Sequence, residues 1–170
     1  FALDTAPSIV VPAGSERSKV LLASTAFGQG EILATPLQMA LVAAAIANQG
    51  VLVEPRLGLS ASIGGETRAL DESASRRVLD ASAAATLREL MVSVVANGQA
   101  RGANLTGIAV GGKTGTAETG RDGKSHAWFI AFAPAENPTV AVAVVVEDGG
   151  RGGEVASPIA GQVLSAALRR

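Results

Sequence analysis

Between Gly107 and Glu147 the chain carries three apolar runs, at 107–118, 125–133 and 139–147, separated only by TGRDGK and PAENP. Both connectors are turn chemistry, with glycine to supply positive φ and proline to preset it. A parallel pair of strands needs a crossover of about a dozen residues, so links this short force an antiparallel meander. TVAVAVVVE, residues 139–147, is apolar along almost its whole length, which predicts a central strand covered on both faces. The last helix, opened by Ser157 and Pro158, is expected to supply cover through Ile159, Val163, Leu164 and Leu168, with Gly161 permitting close approach to the sheet.

Ahead of the meander the pattern is helical. Thr35 is a good cap, Pro36 suits the first helical position, Leu37 to Asn48 are nearly all apolar or alanine, and Gly50 closes the helix just past Gln49. Its apolar residues go all the way round, which predicts burial. A second helix, capped by Asp80 or Ser82 and ended by Gly98, carries Leu87, Leu90, Met91, Val94 and Val95 as its apolar stripe, with Met91 read as core filler. The residues between the helices read as extended segments around Gly64 and Gly65. The fold class expected is α+β, an antiparallel sheet with the C-terminal helix packed on it plus a helical region.

Composition closes several functions. At 170 residues the chain suits one domain, and 14 basic against 15 acidic residues make no field for nucleic acid. With no cysteine and one histidine, neither a thiol nucleophile nor an ordinary zinc site is expected, and no motif calls for a cofactor. The longest apolar stretch, Leu37 to Ala47, is interrupted by Gln38 and falls short of the roughly 18 residues that cross a bilayer. FALDTAPSIVVPAG does not read as a secretory signal, and Phe1 in place of a starting methionine reads as a cut point inside a longer protein.

The chemistry lies in GIAVGGKTGTAETG. Gly107, Gly112, Lys113 and Thr114 match a phosphate-loop pattern, which requires a strand before the first glycine and a helix beginning at the lysine. RGANLT is a poor buried strand, and GTAETGRDGK carries three glycines and no helical period. The pattern therefore lacks its structural setting. Lys113, Thr114 and Gly115 read instead as the K-T-G of penicillin-recognising serine enzymes, set on a strand. Side chains alternate on a strand, so the hydroxyls of Thr114 and Thr116 share a face where both can bind one carboxylate. Gly115 adds no bulk against an approaching peptide. If the strand is a sheet edge, its free backbone groups can hold an extended substrate, and the Thr116 amide can point at a developing oxyanion. Lys113 has the reach and charge to contact neighbouring hydroxyls and favour an anionic ligand.

Together with this segment, GQGEILATPLQMA (Gly28 to Ala40) and HAWFIAFAP (His126 to Pro134) resemble, in order, spacing and setting, the transpeptidase domain of class B penicillin-binding proteins, closest to the penicillin-binding protein A type. The resemblance runs from about Ala23 to the end. It implies a peptidoglycan D,D-transpeptidase that cross-links D-alanyl-D-alanine stem peptides, is acylated by β-lactams and works at the extracytoplasmic face of the bacterial cell membrane. Division or elongation proteins become candidate partners, and the membrane is reached through a segment outside residues 1–170. It also implies Lys113 and Thr116 as catalytic residues, through proton relay and one oxyanion amide, and Thr114, Gly115 and Thr116 as the residues that hold the stem's terminal carboxylate. The TPLQ-type helix favours transpeptidase over D,D-carboxypeptidase or β-lactamase.

One departure limits this reading. Neither S-x-x-K nor S-x-N occurs in the sequence, and Ser15 and Lys19, four apart beside Pro12 and Gly14, are no substitute. The chain is thus expected to be the C-terminal portion of one transpeptidase domain, inactive alone, with the nucleophile upstream of residue 1. The alternative is a non-catalytic peptidoglycan or β-lactam sensor, or a division scaffold, of the same fold. His126 is expected to be a hydrogen-bonded structural residue, Trp128 and Phe129 sheet packing, Gln29 a brace near the cleft, and Glu31 a solvated or capping acid. Glu118 either tunes Lys113 or starts the turn.

Overall fold

In the computed structural model, which describes residues 5–10, 18–120 and 123–169, the elements run α1 (Lys19–Ala26), α2 (Pro36–Ala47), β1 (Val51–Val53), β2 (Ser60–Ile63), β3 (Glu66–Ala69), β4 (Ser75–Arg77), α3 (Ala81–Ala96), a 3-10 turn (Arg101–Ala103), β5 (Gly111–Glu118), β6 (Ser125–Ala133), β7 (Val140–Val146) and α4 (Ala156–Ala167). The expected meander forms: β5, β6 and β7 pair antiparallel in chain order. Gly111 stands opposite Phe132 and Glu118 opposite Ser125, with no slip between. The α+β class therefore holds.

Alternation divides the sheet residues between two apolar layers. Ala127, Phe129, Ala131 and Ala133 with Val140, Val142, Val144 and Val146 pack against α4, the 3-10 turn and Val94 and Val95 of α3. Ile130, Phe132, Ala141 and Ala143 face Met39, Ala43, Ile46 and Ala47 of α2, and Met91 and Val92 of α3. Phe129, Phe132 and Leu164 are fully buried, each contributing roughly 1.5–3 kcal/mol relative to an exposed side chain.

Several sequence expectations change here. Among the described residues the strand order is β5-β6-β7, which puts β6 and not the 139–147 strand in the middle. Its apolar residues on both sides report two covering layers, α4 and α2, not strands on both flanks. The 107–118 strand starts only at Gly111, because Gly107 takes φ +75° in a turn where Leu105 and Ile108 bridge. On α3 the buried residues are Ala84, Met91 and Val95, while Leu87 and Leu90 are 37% and 58% exposed. Asp80 is its N-cap without a side-chain hydrogen bond, and Ser82 lies inside the helix. On α4, Ala156, Ser157, Ala160, Gly161 and Leu164 face inward and Ile159 and Val163 lie 40% and 45% exposed. Small residues win both interfaces because they allow the backbones to approach. The approach at Gly161 is to the 3-10 turn and not to the sheet, since a Cβ there would lie 2.9 Å from the Gly102 carbonyl oxygen.

Helix α2 begins where expected, with Thr35 Oγ1 accepting from the Gln38 amide at 3.2 Å. Only its Ala43, Ala45 and Ala47 are buried, so the apolar circumference is half-covered and not enclosed. The extended residues after it form two small antiparallel pairs, β1 with β4 and β2 with β3, the latter turning on Gly64 and Gly65 at φ +63° and +88°. Helix α1 was not foreseen. Ser18 caps it by accepting from the Leu21 amide at 3.0 Å, and it buries none of its residues. Ser15, Pro12 and Gly14 lie outside the described residues.

Candidate active site

The K-T-G segment occupies the middle of β5, which among the described residues pairs only with β6 and so forms an edge. No helix begins at Lys113, so the phosphate-loop pattern has no counterpart in the fold. Two glycines mount the strand. A Cβ on Gly111 would fall 2.3 Å from Phe132 Cζ and one on Gly112 2.3 Å from Phe129 Cζ, so both rings lie against bare backbone. Those buried residues anchor the start of β5, and Lys113 and Thr116 beyond them are exposed.

Thr114 and Thr116 share one face, about 7 Å apart along the strand. Lys113, Gly115 and Ala117 point to the other. The Thr116 carbonyl accepts a hydrogen bond from Gln29 Nε2 at 3.2 Å, and the Thr114 carbonyl accepts one from Lys113 Nζ at 2.7 Å. Both acceptors therefore lie on the edge away from β6. In an extended strand a residue's N–H and C=O point to the same side, so the Thr116 amide also faces outward. An edge of this kind offers a donor and an acceptor from one residue to an incoming chain.

Among the described residues the Lys113 chain folds back onto the carbonyl of the next residue. Glu118 closes β5 opposite Ser125, on the face opposite to Lys113 and about 17 Å along the strand. It therefore starts the turn and does not tune the lysine. His126 accepts from the Asp148 amide through Nδ1 at 3.0 Å, as a hydrogen-bonded structural residue should. Trp128 stands opposite Gly115 and Phe129 is buried under Gly112. Glu31 is exposed.

Against β5, on the face that the Thr114 side chain shares, sits a segment that sequence reasoning missed. A Cβ on Gly152 would overlap the carbonyl oxygens of Trp128 and Gly115, at 2.1 and 2.4 Å, and one on Gly153 would come within 2.3 Å of the Gln99 carbonyl oxygen. This loop is seated on the β5–β6 backbone and tied to α4, where buried Ser157 donates to the Gly153 carbonyl at 2.7 Å. The clue available was GGRGGE itself, four glycines directly before a helix. Cavities of about 440 and 360 Å3 open elsewhere, beside Asn104–Ile108 and between α2, β1 and the start of β7. Among the described residues no group of three histidine, cysteine or acidic side chains is placed to hold a metal ion. No helix among them is long and apolar enough to cross a membrane.

Residues 11–165 match the family model described as the penicillin binding protein transpeptidase domain. The chain belongs to that family. Within it, the chain is 41% identical to the peptidoglycan D,D-transpeptidase PbpA of Mycolicibacterium smegmatis, over 99% of this chain and 38% of the relative. A crystal structure of PBPA from Mycobacterium tuberculosis superposes with a TM-score of 0.86 at 39% identity, over 98% of this chain and 41% of that one. The imipenem acyl-enzyme complex of penicillin-binding protein A from M. tuberculosis gives 0.85 at 39% identity, over 98% of this chain and 37% of that one. The transpeptidase family chain described here thus spans about two-fifths of the length of the relatives it matches.

Proposed function

We propose that this chain is the C-terminal portion of a serine-type D,D-transpeptidase domain within a longer protein, and that it supplies one wall of the active site. A serine outside residues 1–170 adds through Oγ to the penultimate D-alanine carbonyl. The C–N bond breaks, and D-alanine leaves with the proton taken from the serine. An amine of a second stem peptide then attacks the acyl-enzyme ester, forming the cross-link and returning a proton to the serine. In this reading the Thr114 and Thr116 hydroxyls hold the stem's terminal carboxylate and Gly115 keeps the approach clear. The Thr116 amide stabilises the oxyanion, and Lys113 supports the proton relay. β-Lactams enter as substrates that combine a carboxylate with a strained carbonyl. The cell wall places the reaction at the extracytoplasmic face of the membrane, where division or elongation proteins are the candidate partners.

The observation that carries the proposal is the outward Thr116 backbone on an open edge, next to two threonine hydroxyls on one face. It is tested with labelled penicillin. The longer protein becomes acylated, residues 1–170 alone do not, and Lys113→Ala slows acylation on the order of 10²- to 10⁴-fold without a matching fall in melting temperature. Stoichiometric labelling of the isolated chain would sink the assignment of the nucleophile, and unchanged kinetics in the variant would remove Lys113 from the mechanism.

A further inference from the structure

The open edge of β5 is not bare. The outward carbonyls of Thr114 and Thr116 each hold a side-chain donor, Lys113 Nζ on Thr114 and Gln29 Nε2 on Thr116. An extended peptide adding to this edge needs the same acceptors. In antiparallel register the residue opposite Thr116 takes the Thr116 N–H on its carbonyl and gives its own N–H to the Thr116 carbonyl. That second position is filled by Gln29.

We propose that Gln29 is a specificity-determining residue of the transpeptidase site, its side-chain amide standing in for the substrate's backbone N–H at the Thr116 carbonyl and yielding when that N–H arrives. The inference rests on the reading of β5 as the substrate-binding strand and adds to it a competitor for one of its hydrogen bonds.

The loop that carries Gln29 is built to keep it there. Gly28 and Gly30 adopt φ +82° and +83°, backbone conformations that side chains disfavour. A Cβ on Gly30 would also come within 2.8 Å of Ser24 Oγ and 3.3 Å of Leu21 Cδ1, so only glycine lets the loop lie this close to α1. The Gln29 amide donates to the Ser24 carbonyl at 2.9 Å, fastening the backbone to the end of that helix. The side chain spans to β5 through one neutral hydrogen bond of 3.2 Å. A fixed base with a single ordinary bond at its tip is a contact that exchanges readily, since a substrate N–H replaces it with a bond of the same kind. In the empty site the same contact blunts an edge that would otherwise pair with any extended chain.

The consequence is a selectivity that depends on the ligand's donor. A ligand bringing an N–H to Thr116 displaces Gln29 and gains little net, whereas a ligand without one leaves Gln29 in place. The test replaces Gln29 in the longer protein by Met, which keeps the length of the side chain and removes the donor, and separately by Ala. Acylation rate constants are measured with penicillin G, whose acylamino group carries the N–H, and with sulbactam, which has no substituent at that carbon. The rate with penicillin G should rise roughly two- to tenfold in both variants, the worth of one ordinary hydrogen bond, while the rate with sulbactam stays unchanged. Equal shifts for the two ligands, no shift, or a slower reaction with penicillin G would overturn the inference and leave the transpeptidase reading standing. A wild-type protein acylated by neither ligand would overturn that reading, and the role of Gln29 with it.

Discussion

β6 and the β2–β3 hairpin begin from the same local rules and end in opposite environments. Each belongs to an antiparallel pair joined by a short glycine-bearing turn, yet β6 is buried along most of its length and every residue of β2 and β3 is exposed. The difference lies in the partners. Ala127, Phe129 and Ala131 meet α4 and the 3-10 turn on one side, and Ile130 and Phe132 meet α2 and α3 on the other. Ile63 of the hairpin, 82% exposed, enters neither layer. Turn chemistry is enough to make a hairpin, but only two apolar layers make a platform. The strand carrying Lys113 to Thr116 rests on that platform.

The strongest way to break the contrast is to empty the platform. Phe129 is fully buried and its ring fills the space that Gly112 leaves free, so Phe129→Ala should cost about 3–5 kcal/mol in the longer protein. Denaturant unfolding measures it. A loss under about 1 kcal/mol would mean that the ring is not part of the support for β5.

The platform was largely legible in the sequence, because its causes are local. TGRDGK and PAENP prescribe short links, and short links prescribe the meander. The inward surface of each helix was legible only in part: Met91, Val95 and Leu164 are buried as their stripes predict, and the rest of the inward surface lies elsewhere. A size-weighted stripe favours Leu87 and Leu90 on α3 and Ile159 and Val163 on α4, whereas the interfaces use Ala84, Ala156, Ala160 and Gly161. Side-chain volume predicts who gains most from burial in general, and backbone proximity decides who fits. Nor does two-sided apolarity place β7 within its sheet, since apolar residues on both faces describe the layers above and below and say nothing of the flanks. At the site, K-T-G was readable as a string, and alternation alone put the two threonines on one face. The bond from Gln29 to Thr116 was not readable, because it joins residues 87 apart through the fold. Nor was the seat of Gly152 on β5 and β6.

A smaller effect, on function and not on folding, sharpens the same contrast. Thr114→Val with Thr116→Val keeps the β-branched shape and the strand while removing two hydroxyl donors. Acylation by a carboxylate-bearing β-lactam should fall roughly 10- to 100-fold, with little change in melting temperature, because the platform under β5 is untouched. The Thr116 amide remains, so part of the rate should survive. A matched ligand lacking the carboxylate supplies the control: it should react slowly with wild type and lose little more in the double variant. Equal losses for the two ligands would show that these threonines do not read the carboxylate.

The smallest expected effect belongs to the hairpin. Ile63 ends β2 opposite Glu66 and is 82% exposed, so Ile63→Ser removes an apolar side chain that is already largely in water. Its neighbours in the turn, Gly64 and Gly65, hold their positive φ without help from the side chain at position 63. Surface changes away from caps, cavities and special backbone stay within about 0.5 kcal/mol, and this one should too. The measurement is again denaturant unfolding of the longer protein. Because isoleucine favours strands and serine does not, any small loss should be of the order of a strand preference and confined to the hairpin's own hydrogen exchange. A loss of 2 kcal/mol or more would place Ile63 in an apolar contact as firm as those of the platform, and the contrast between the two strand pairs would then be one of location and not of burial.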